Sequence, residues 1–259
     1  MGRAAYAAAR AIMLVEMPPI EVAPSILSAD FGRLLEQIEL VRGAGATIVH
    51  VDVMDGHFVP PLSMGPPVCR ALSGLGMHLE VHLMVERPER TQIADFAAAG
   101  ADTIVIHAEA TPHVHYAIQA IRAAGCLAGL AVNPATPLTI FDGLDIDMAL
   151  LMTVDPGWGG QRFIDGSLER IAALREIVGQ DLVIEGDGGV DAATAGPCAA
   201  AGATRLVAGT AVFGSDDPAA AVRQIAGAAQ AALAAAHYTA AARSSSRPVV
   251  FPLAHRRAV

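Results

Sequence analysis

The amino-acid sequence predicts an α/β protein with a single domain, in which eight parallel strands alternate with helices and close into a (β/α)8 barrel. Three observations support this prediction. Short apolar runs alternate with helical patterns along the chain, as expected for parallel strands joined by helices. Glycine follows many helical patterns, where a left-handed cap ends a helix. Polar residues interrupt the apolar runs near the carboxyl ends of the predicted strands, which meet at one mouth in a barrel.

An open, doubly wound sheet is the alternative architecture for the same order of elements. Such a sheet is expected to carry a G-x-G-x-x-G pattern in its first strand-to-helix turn, and the corresponding turn of this chain has none. Its strand ends would also spread along a line, which would keep the polar residues apart. The barrel is therefore the favoured architecture.

Each predicted strand is a short apolar run that is followed by a polar turn and then by a helical pattern. In chain order, the eight predicted strands are residues 21–27, 47–54, 78–85, 102–107, 127–132, 146–154, 181–185 and 204–208.

The predicted helices fill the segments between these strands. Six are clear in the sequence, at residues 30–45, 88–100, 112–125, 165–179, 191–202 and 216–234. Two weaker helical patterns cover residues 65–76 and 137–144. Aspartates that could cap helix N-termini are Asp30, Asp191 and Asp216. Glycines at expected left-handed C-caps are Gly45, Gly100, Gly125 and Gly202.

The predicted barrel domain spans residues 20–236, and a segment lies outside it at each end. Residues 1–19 are rich in alanine and arginine, but their apolar run is short and Glu16 follows it. We expect an extension outside the core, because Met13 and Met17 are alternative starts. Residues 237–259 include a stretch of serine, arginine and proline, and we expect them to form a mobile tail.

Composition excludes several classes of protein. The net charge of −9 argues against nucleic-acid binding, which needs a basic surface, and no apolar run approaches the length of a membrane span. Cys69, Cys126 and Cys198 lack the spacing of a metal site. So sparse and odd a set of cysteines predicts core packing in a reducing, cytoplasmic environment without disulfides.

The chain contains no lysine, and each of its 17 basic residues other than histidine is an arginine. Imine-forming aldolases and lyases, pyridoxal phosphate enzymes and P-loop NTPases all need a lysine. These classes are excluded by their own chemistry. A phosphate group would have to be bound by backbone amides or by arginine.

Four polar residues at predicted strand ends indicate a metal site. His50 and Asp52 lie two residues apart, so a strand directs both side chains to one face. His82 ends the third predicted strand, and Asp187 follows the seventh. Burying such groups is unfavourable unless they pair or bind a metal, and imidazole with carboxylate suits Zn, Mn, Fe or Co. His107 also ends a strand; its neighbours suggest no partner, so we expect a structural or supporting role.

Glycine-rich turns indicate a phosphate site. Residues 155–161 follow the sixth predicted strand, and two further turns, Gly188-Gly189 and Gly209-Thr210, follow the seventh and eighth. Loops after the last strands of a barrel often bind phosphate through backbone amides, which glycine allows to approach closely. Three methionines also lie at or near strands 2, 3 and 6: Met54, Met84 and Met152. They are either ordinary core residues or a polarizable lining around a reacting carbon.

Together, these residues resemble the ribulose-phosphate 3-epimerase family over residues 20–225, approximately. The markers are A-P-S-I-L at 23–27, V-D-V-M-D-G-H-F-V-P at 51–60, H-L-M-V at 82–85, M-T-V-D-P-G-W-G-G-Q at 152–161 and D-G-G at 187–189. The resemblance implies a TIM barrel that binds one divalent ion through His50, Asp52, His82 and Asp187. It also implies substrate contacts from Ser25 and His82, and a phosphate site formed by Gly157, Trp158, Gly159, Gly160, Gly188, Gly189, Gly209 and Thr210. The three methionines would line the reaction intermediate.

The activity implied by the resemblance is inversion of C3 of a ketose phosphate, from D-ribulose 5-phosphate to D-xylulose 5-phosphate, in the pentose phosphate pathway. Asp52 and Asp187 would transfer the proton, one on each face of the substrate. Pro61, Trp158 and Gly186 depart from the family pattern, so another sugar phosphate, such as allulose 6-phosphate or a tetrulose phosphate, is an alternative substrate. A phosphosugar-binding protein without activity is a further alternative. Unpaired apolar helix faces predict a homo-oligomer.

Overall fold

The computed structural model describes residues 20–245 of the chain, with side chains through residue 236. Eight parallel strands are present in this part. They are β1 Glu21–Pro24, β2 Ile48–Met54, β3 His78–Met84, β4 Thr103–His107, β5 Leu127–Val132, β6 Met148–Met152, β7 Val183–Asp187 and β8 Arg205–Ala208. All eight predicted strands are confirmed. The main difference is that β7 extends to Asp187 and so includes the carboxylate that the sequence analysis placed after it.

The strands form one sheet in the order β1-β8-β7-β6-β5-β4-β3-β2. A parallel bridge between Ser25 and His50, just beyond β1 and within β2, joins the two ends of this order. The sheet therefore closes into a (β/α)8 barrel, and the open-sheet alternative is excluded. Register brings predicted site residues side by side, because Asp52 is the partner of His82 across β2 and β3.

The helices that follow the strands are numbered α1 to α8 within the described residues. They are α1 Leu34–Gly43, α2 Pro66–Leu72, α3 Gln92–Ala98, α4 Val114–Ala123, α5 Ser167–Val178, α6 Ala192–Ala201, α7 Thr210–Phe213 and α8 Pro218–Ser245. Short 3-10 helices occur at Ile26–Ser28, Phe31–Arg33, Ala108–Ala110 and Leu138–Phe141. Apolar side chains between the strands and these helices make up the largest core cluster.

Two helix predictions need correction. Residues 137–144 form only a short 3-10 turn, because Pro137 precedes it and Gly143 adopts a positive φ of 70° just after it. The last helix continues beyond residue 234 to Ser245, since its end is rich in alanine, the strongest helix former. This helix enters the segment that the sequence analysis treated as a tail. The predicted extension 1–19 and residues 246–259 of the predicted tail lie outside the described residues.

The predicted helix caps are confirmed with one exception. Gly45, Gly100, Gly125 and Gly202 all have a positive φ. Asp30 caps a 3-10 turn, and Asp191 forms a capping box with Thr194. Asp216 is not the cap of α8, because the helix begins one residue later than expected, with Pro218 in its first position. Asp217 accepts a hydrogen bond from the backbone of Ala220 instead.

The predicted core packing of the cysteines is confirmed, since Cys69, Cys126 and Cys198 are buried. Within residues 20–245, no helix combines the length and the hydropathy that crossing a membrane requires. Inside the barrel, however, the core is not uniformly apolar. Ionisable side chains from Glu80, Glu185 and Arg205 lie inside the barrel, below the predicted site.

Candidate active site

A cavity of about 540 Å³ opens at the carboxyl ends of the strands. This volume is suited to a small metabolite. Its lining includes Ser25 after β1, Asp52 in β2 and Asp187 in β7. It also includes every glycine that the sequence analysis assigned to a phosphate site, together with Trp158 and Thr210. The structure therefore brings the two predicted constellations together around one space.

Beside this cavity, the four predicted metal ligands form one buried cluster. The Nδ1 atom of His82 lies 3.1 Å from Oδ1 of Asp52 and 3.3 Å from Oδ2 of Asp187. The Nε2 atom of His50 lies 3.3 Å and 3.8 Å from the same two oxygens. One ligand atom from each residue thus falls within 4.8 Å of the others. Two nitrogens and two oxygens face a common point.

The charges in this cluster suit a divalent cation. Burial alone would lower the pKa of His50 and of His82, but the nearby carboxylates outweigh burial and raise both. Burial would raise the pKa of Asp52, but His50 and His82 hold it well below its usual range. The two carboxylates thus favour positive charge at this point. With neutral imidazoles, a divalent ion would supply that charge, so the donor set fits the predicted metal.

In each of the two histidines, the ring nitrogen that points away from the cluster is also hydrogen bonded. His50 Nδ1 lies 2.9 Å from Oε1 of Glu80, and the other oxygen of Glu80, Oε2, accepts a hydrogen bond from Arg205. Arg205 also donates to Glu21, its register partner on the neighbouring strand β1, at 2.7 Å. On the other side, His82 Nε2 lies 2.8 Å from Nε2 of His107. Partners of this kind orient the rings of metal-binding histidines.

Glu185 is buried, and neither oxygen of its carboxyl group has a hydrogen-bond partner among the described residues. Burial raises its pKa well above the usual value, and the neighbouring Glu80 raises it further. Glu80, by contrast, has its pKa lowered to about 2, because His50 and Arg205 outweigh its burial. We therefore interpret Glu185 as the protonated member of this pair.

Ser25 fixes one of the two candidate acid–base residues. Its hydroxyl donates to Oδ2 of Asp52 at 2.5 Å, and it also accepts from the backbone of Leu27. The other oxygen of Asp52 faces the two histidines. Asp52 is consequently held from both sides, with little freedom to rotate.

The glycine-rich turns face hydroxyl groups across the cavity. A Cβ atom on Gly159 would lie 3.2 Å from the hydroxyl oxygens of both Ser28 and Thr210, and one on Gly209 would lie 2.9 Å from that of Ser28. Ser28 and Thr210 are themselves 3.2 Å apart. Ser28 was not identified from the sequence. Backbone amides and hydroxyls together make this end of the cavity suitable for an anion.

The three predicted methionines all line the cavity and are almost fully buried. Met54 and Met84 form a small apolar cluster with Val59, and Met152 packs with the other residues of the barrel interior. The cavity is thus lined by apolar sulfur-containing side chains as well as by carboxylates.

The two histidines of the cluster do not line the cavity. His50 and His82 are fully buried behind the aspartates and are not among the described residues that line the cavity. His57 is exposed in a turn, where its backbone N–H donates to Oδ1 of Asp55. His107 does have partners, contrary to expectation: His82 and, two residues along the chain, Glu109.

The sequence analysis missed the charged residues beneath the cluster. Glu80 and Glu185 each precede a predicted ligand by two residues, and so share its face of the strand. The same rule that paired His50 with Asp52 would have identified them. Arg205 gives no such signal, because its partners Glu21 and Glu80 lie far from it along the chain.

These features define a class of barrel protein with a buried centre of two histidines and two aspartates beside a glycine-lined cavity. The family model described as the ribulose-phosphate 3 epimerase family matches residues 21–213. The chain belongs to the ribulose-phosphate 3-epimerase family and is an isomerase of the epimerase type.

Curated relatives support this assignment. A ribulose-phosphate 3-epimerase of Bacillus subtilis is 47% identical over 215 residues, covering 80% of this chain and 99% of the relative. One of Serratia marcescens is 49% identical over 203 residues, covering 76% and 96%. Among solved structures, 3-hexulose-6-phosphate synthase of Salmonella typhimurium aligns with a TM-score of 0.64 at 16% identity, over 82% of this chain and 99% of that chain. At that identity, the likeness shows the fold alone.

Proposed function

We propose that the protein inverts C3 of a ketose phosphate in a metal-dependent reaction, interconverting D-ribulose 5-phosphate and D-xylulose 5-phosphate in the pentose phosphate pathway. The observation that carries this proposal is the placement of Asp52 and Asp187. Both carboxylates line one cavity, and they reach it from strands that β1 and β8 separate. Removing a proton from one face of a carbon and returning one to the other face requires two such groups at one cavity.

In this mechanism, one aspartate removes the C3 proton from one face of the substrate and the other returns a proton to the opposite face. The C3–H bond is only weakly acidic, and the neighbouring carbonyl oxygen takes up the negative charge that develops when the proton leaves. A divalent ion bound by His50, Asp52, His82 and Asp187 would stabilise that charge as a Lewis acid. Ser25 holds Asp52 in place through its short hydrogen bond.

The remaining lining residues would bind and shield the substrate. Glycine amides of residues 157–160, 188–189 and 209, with the hydroxyl of Thr210, would bind the phosphate group. No lysine is available for that purpose. The methionines would exclude water from the carbon at which charge develops, and a dry environment strengthens electrostatic stabilisation.

Another ketose phosphate is the second candidate substrate, and one of the three departures from the family pattern bears on it. Trp158 lines the cavity and is 54% exposed, so its indole can contact the substrate. Gly186 faces Ile171, Leu206 and Thr153, away from the site, and β7 stays paired on both sides of it. Pro61 lies in a neighbouring apolar cavity of about 270 Å³.

The test is turnover with a panel of ketose phosphates after the metal has been added back, comparing the wild type with Asp52→Asn and Asp187→Asn. We expect D-ribulose 5-phosphate to give the highest kcat/KM, and each variant to lose most activity. Normal turnover in both variants would refute the two-aspartate mechanism. A much higher kcat/KM for allulose 6-phosphate or a tetrulose phosphate would transfer the proposal to that substrate.

We retain a cytoplasmic location and a homo-oligomeric state as predictions. Exposed apolar side chains around the smaller cavity, Phe31, Leu62 and Trp158, support the second of these. Light scattering of the purified protein would measure the number of subunits directly, and a monomer at micromolar concentration would contradict it.

A further inference from the structure

We propose that Glu109 and His107 are positioning residues, which fix the protonation of His82 so that its Nδ1 lone pair points at the metal cluster. This inference rests on the proposed metal site. It assigns a role to two residues, on and after β4, that do not touch the substrate cavity. Hydrogen bonds connect the turn at Asn133 and Thr136 to Glu109, then to His107 and finally to His82 in the cluster.

The first link joins the two histidine rings. Their Nε2 atoms are 2.8 Å apart, the ring planes differ by 18° and the centroids are 4.9 Å apart. The centroids lie much farther apart than the two nitrogens, so the nitrogens point at each other. The two nearly parallel rings therefore lie edge to edge and share a hydrogen bond. Only one of the two nitrogens can carry the shared proton. Both rings are fully buried, so solvent water cannot replace either partner.

The second link decides which nitrogen that is. His107 Nδ1 lies 3.2 Å from Oε2 of Glu109. An ionised carboxylate only accepts hydrogen bonds, so His107 must carry its proton on Nδ1. In a neutral His107 ring, Nε2 is then an acceptor, and the shared proton belongs to Nε2 of His82. A neutral His82 consequently has a bare Nδ1, which is the atom that faces Asp52 and Asp187.

The third link keeps Glu109 in its accepting state. Its other oxygen, Oε1, accepts from the backbone N–H of Asn133 at 2.8 Å and from the hydroxyl of Thr136. Arg170 donates to the carbonyl oxygens of Asn133 and Thr136, which holds this turn in place. Burial raises the pKa of Glu109, but its hydrogen bonds from His107, Thr136 and Asn133 outweigh burial and lower it to about 2. Glu109 is therefore ionised at neutral pH.

Glu109→Gln exchanges one acceptor for a donor at almost constant shape, and the series of hydrogen bonds described above predicts its effect. The amide oxygen is required by Asn133 and Thr136, so the NH₂ group faces His107 Nδ1. His107 must then carry its proton on Nε2, and His82 must move its own proton to Nδ1, where it blocks metal binding. Rotating the amide would instead set its NH₂ group against the N–H of Asn133. Loss of such a supporting partner weakens metal binding about 10- to 100-fold.

The chain offers a matched control in Glu89→Gln. Glu89 also accepts a hydrogen bond from a threonine hydroxyl, that of Thr111 at 3.0 Å, and is partly buried. It has no contact with the histidines. A second pair of variants tests the hydrogen bond between His107 and His82. The side-chain carbonyl of His107→Gln can replace the accepting Nε2 atom, whereas His107→Leu has no acceptor.

The experiment measures the Kd for Co²⁺ by visible absorption, with a competing chelator, on metal-free protein whose fold has been checked by near-UV circular dichroism. We expect Glu109→Gln to raise Kd about 10- to 100-fold, Glu89→Gln to leave it unchanged, and His107→Gln to bind more tightly than His107→Leu. A wild type that binds no Co²⁺ would overturn the metal site itself and hence the proposed function. A wild type that binds Co²⁺ together with an unchanged Kd in Glu109→Gln would overturn only this inference. If Glu109→Gln does not fold, equal Kd values for the two His107 variants would overturn this inference.

Discussion

Replacing Gly189 with alanine should displace the glycine-rich loop after β6 and weaken phosphate binding. Gly189 has a positive φ of 64°. A Cβ atom added there would lie 2.5 Å from the backbone nitrogen of Phe163 and 2.8 Å from its Cα. Because these are backbone atoms, no side-chain rotation relieves the clash, and the loop that carries Gly157–Gly160 must move.

The expected magnitude has two parts. A left-handed backbone destabilises a residue with a Cβ atom by about 1–2 kcal/mol. Forcing an extra methyl group into a packed site destabilises by about 1–3 kcal/mol more. Gly143→Ala is the matched control, because Gly143 has a φ of 70° but open space around its Cβ position. The difference between the two variants isolates the clash.

The assay is urea unfolding of both variants, followed by KM for the ketose phosphate. Gly143→Ala should lose only the backbone contribution and keep the wild-type KM. Gly189→Ala should be about 1–3 kcal/mol less stable than that control, and its KM should rise by a larger factor than its kcat falls. Equal stability of the two variants with an unchanged KM would refute the packing of this loop on Gly189 and its role in phosphate binding.

Three further perturbations have defined outcomes. Ser25→Ala removes a charge-assisted hydrogen bond to Asp52, worth about 1.5–3 kcal/mol, so kcat should fall about tenfold or more; an unchanged kcat would show that Asp52 needs no such support. Arg205→Leu leaves Glu80 without its buried cation and should lower the free energy of unfolding by about 3–5 kcal/mol; a smaller loss in urea unfolding would contradict the role of this ion pair. Glu109 has a pKa lowered from 4.5 to about 2 in the fold, so its contribution to stability is present above pH 4.5 and lost as pH falls towards 2. The difference in unfolding free energy between the wild type and Glu109→Gln should therefore shrink over that range, and a constant difference would argue against the lowered pKa.

The barrel could be predicted from the sequence because its signals are local and repeated. Each apolar run and each glycine after a helix carries its own information, so an error at one element does not affect the next. The two helix corrections arise where local signals conflict. Pro137 and Gly143 leave too short a segment for an α-helix, and the alanine-rich end of α8 continues past the last clear apolar pattern.

The site was predictable where polar residues share one face of a strand, and not where their partners come from other strands. His50 and Asp52 are adjacent on one strand face, which sequence alone establishes. The link between His82 and His107 depends on how β3 and β4 align, and no spacing along the chain indicates that alignment. The same holds for Arg205, which joins Glu21 and Glu80 across the barrel.

Proton exchange with solvent at C3 tests the central claim most directly. The protein, loaded with its metal and with the metal content measured in the same sample, would be incubated with D-ribulose 5-phosphate in deuterated water. Two aspartates that exchange protons on opposite faces predict deuterium at C3 of the D-xylulose 5-phosphate formed, and loss of this label in both Asp52→Asn and Asp187→Asn. Inversion without deuterium at C3, or deuterium at another carbon, would contradict the account.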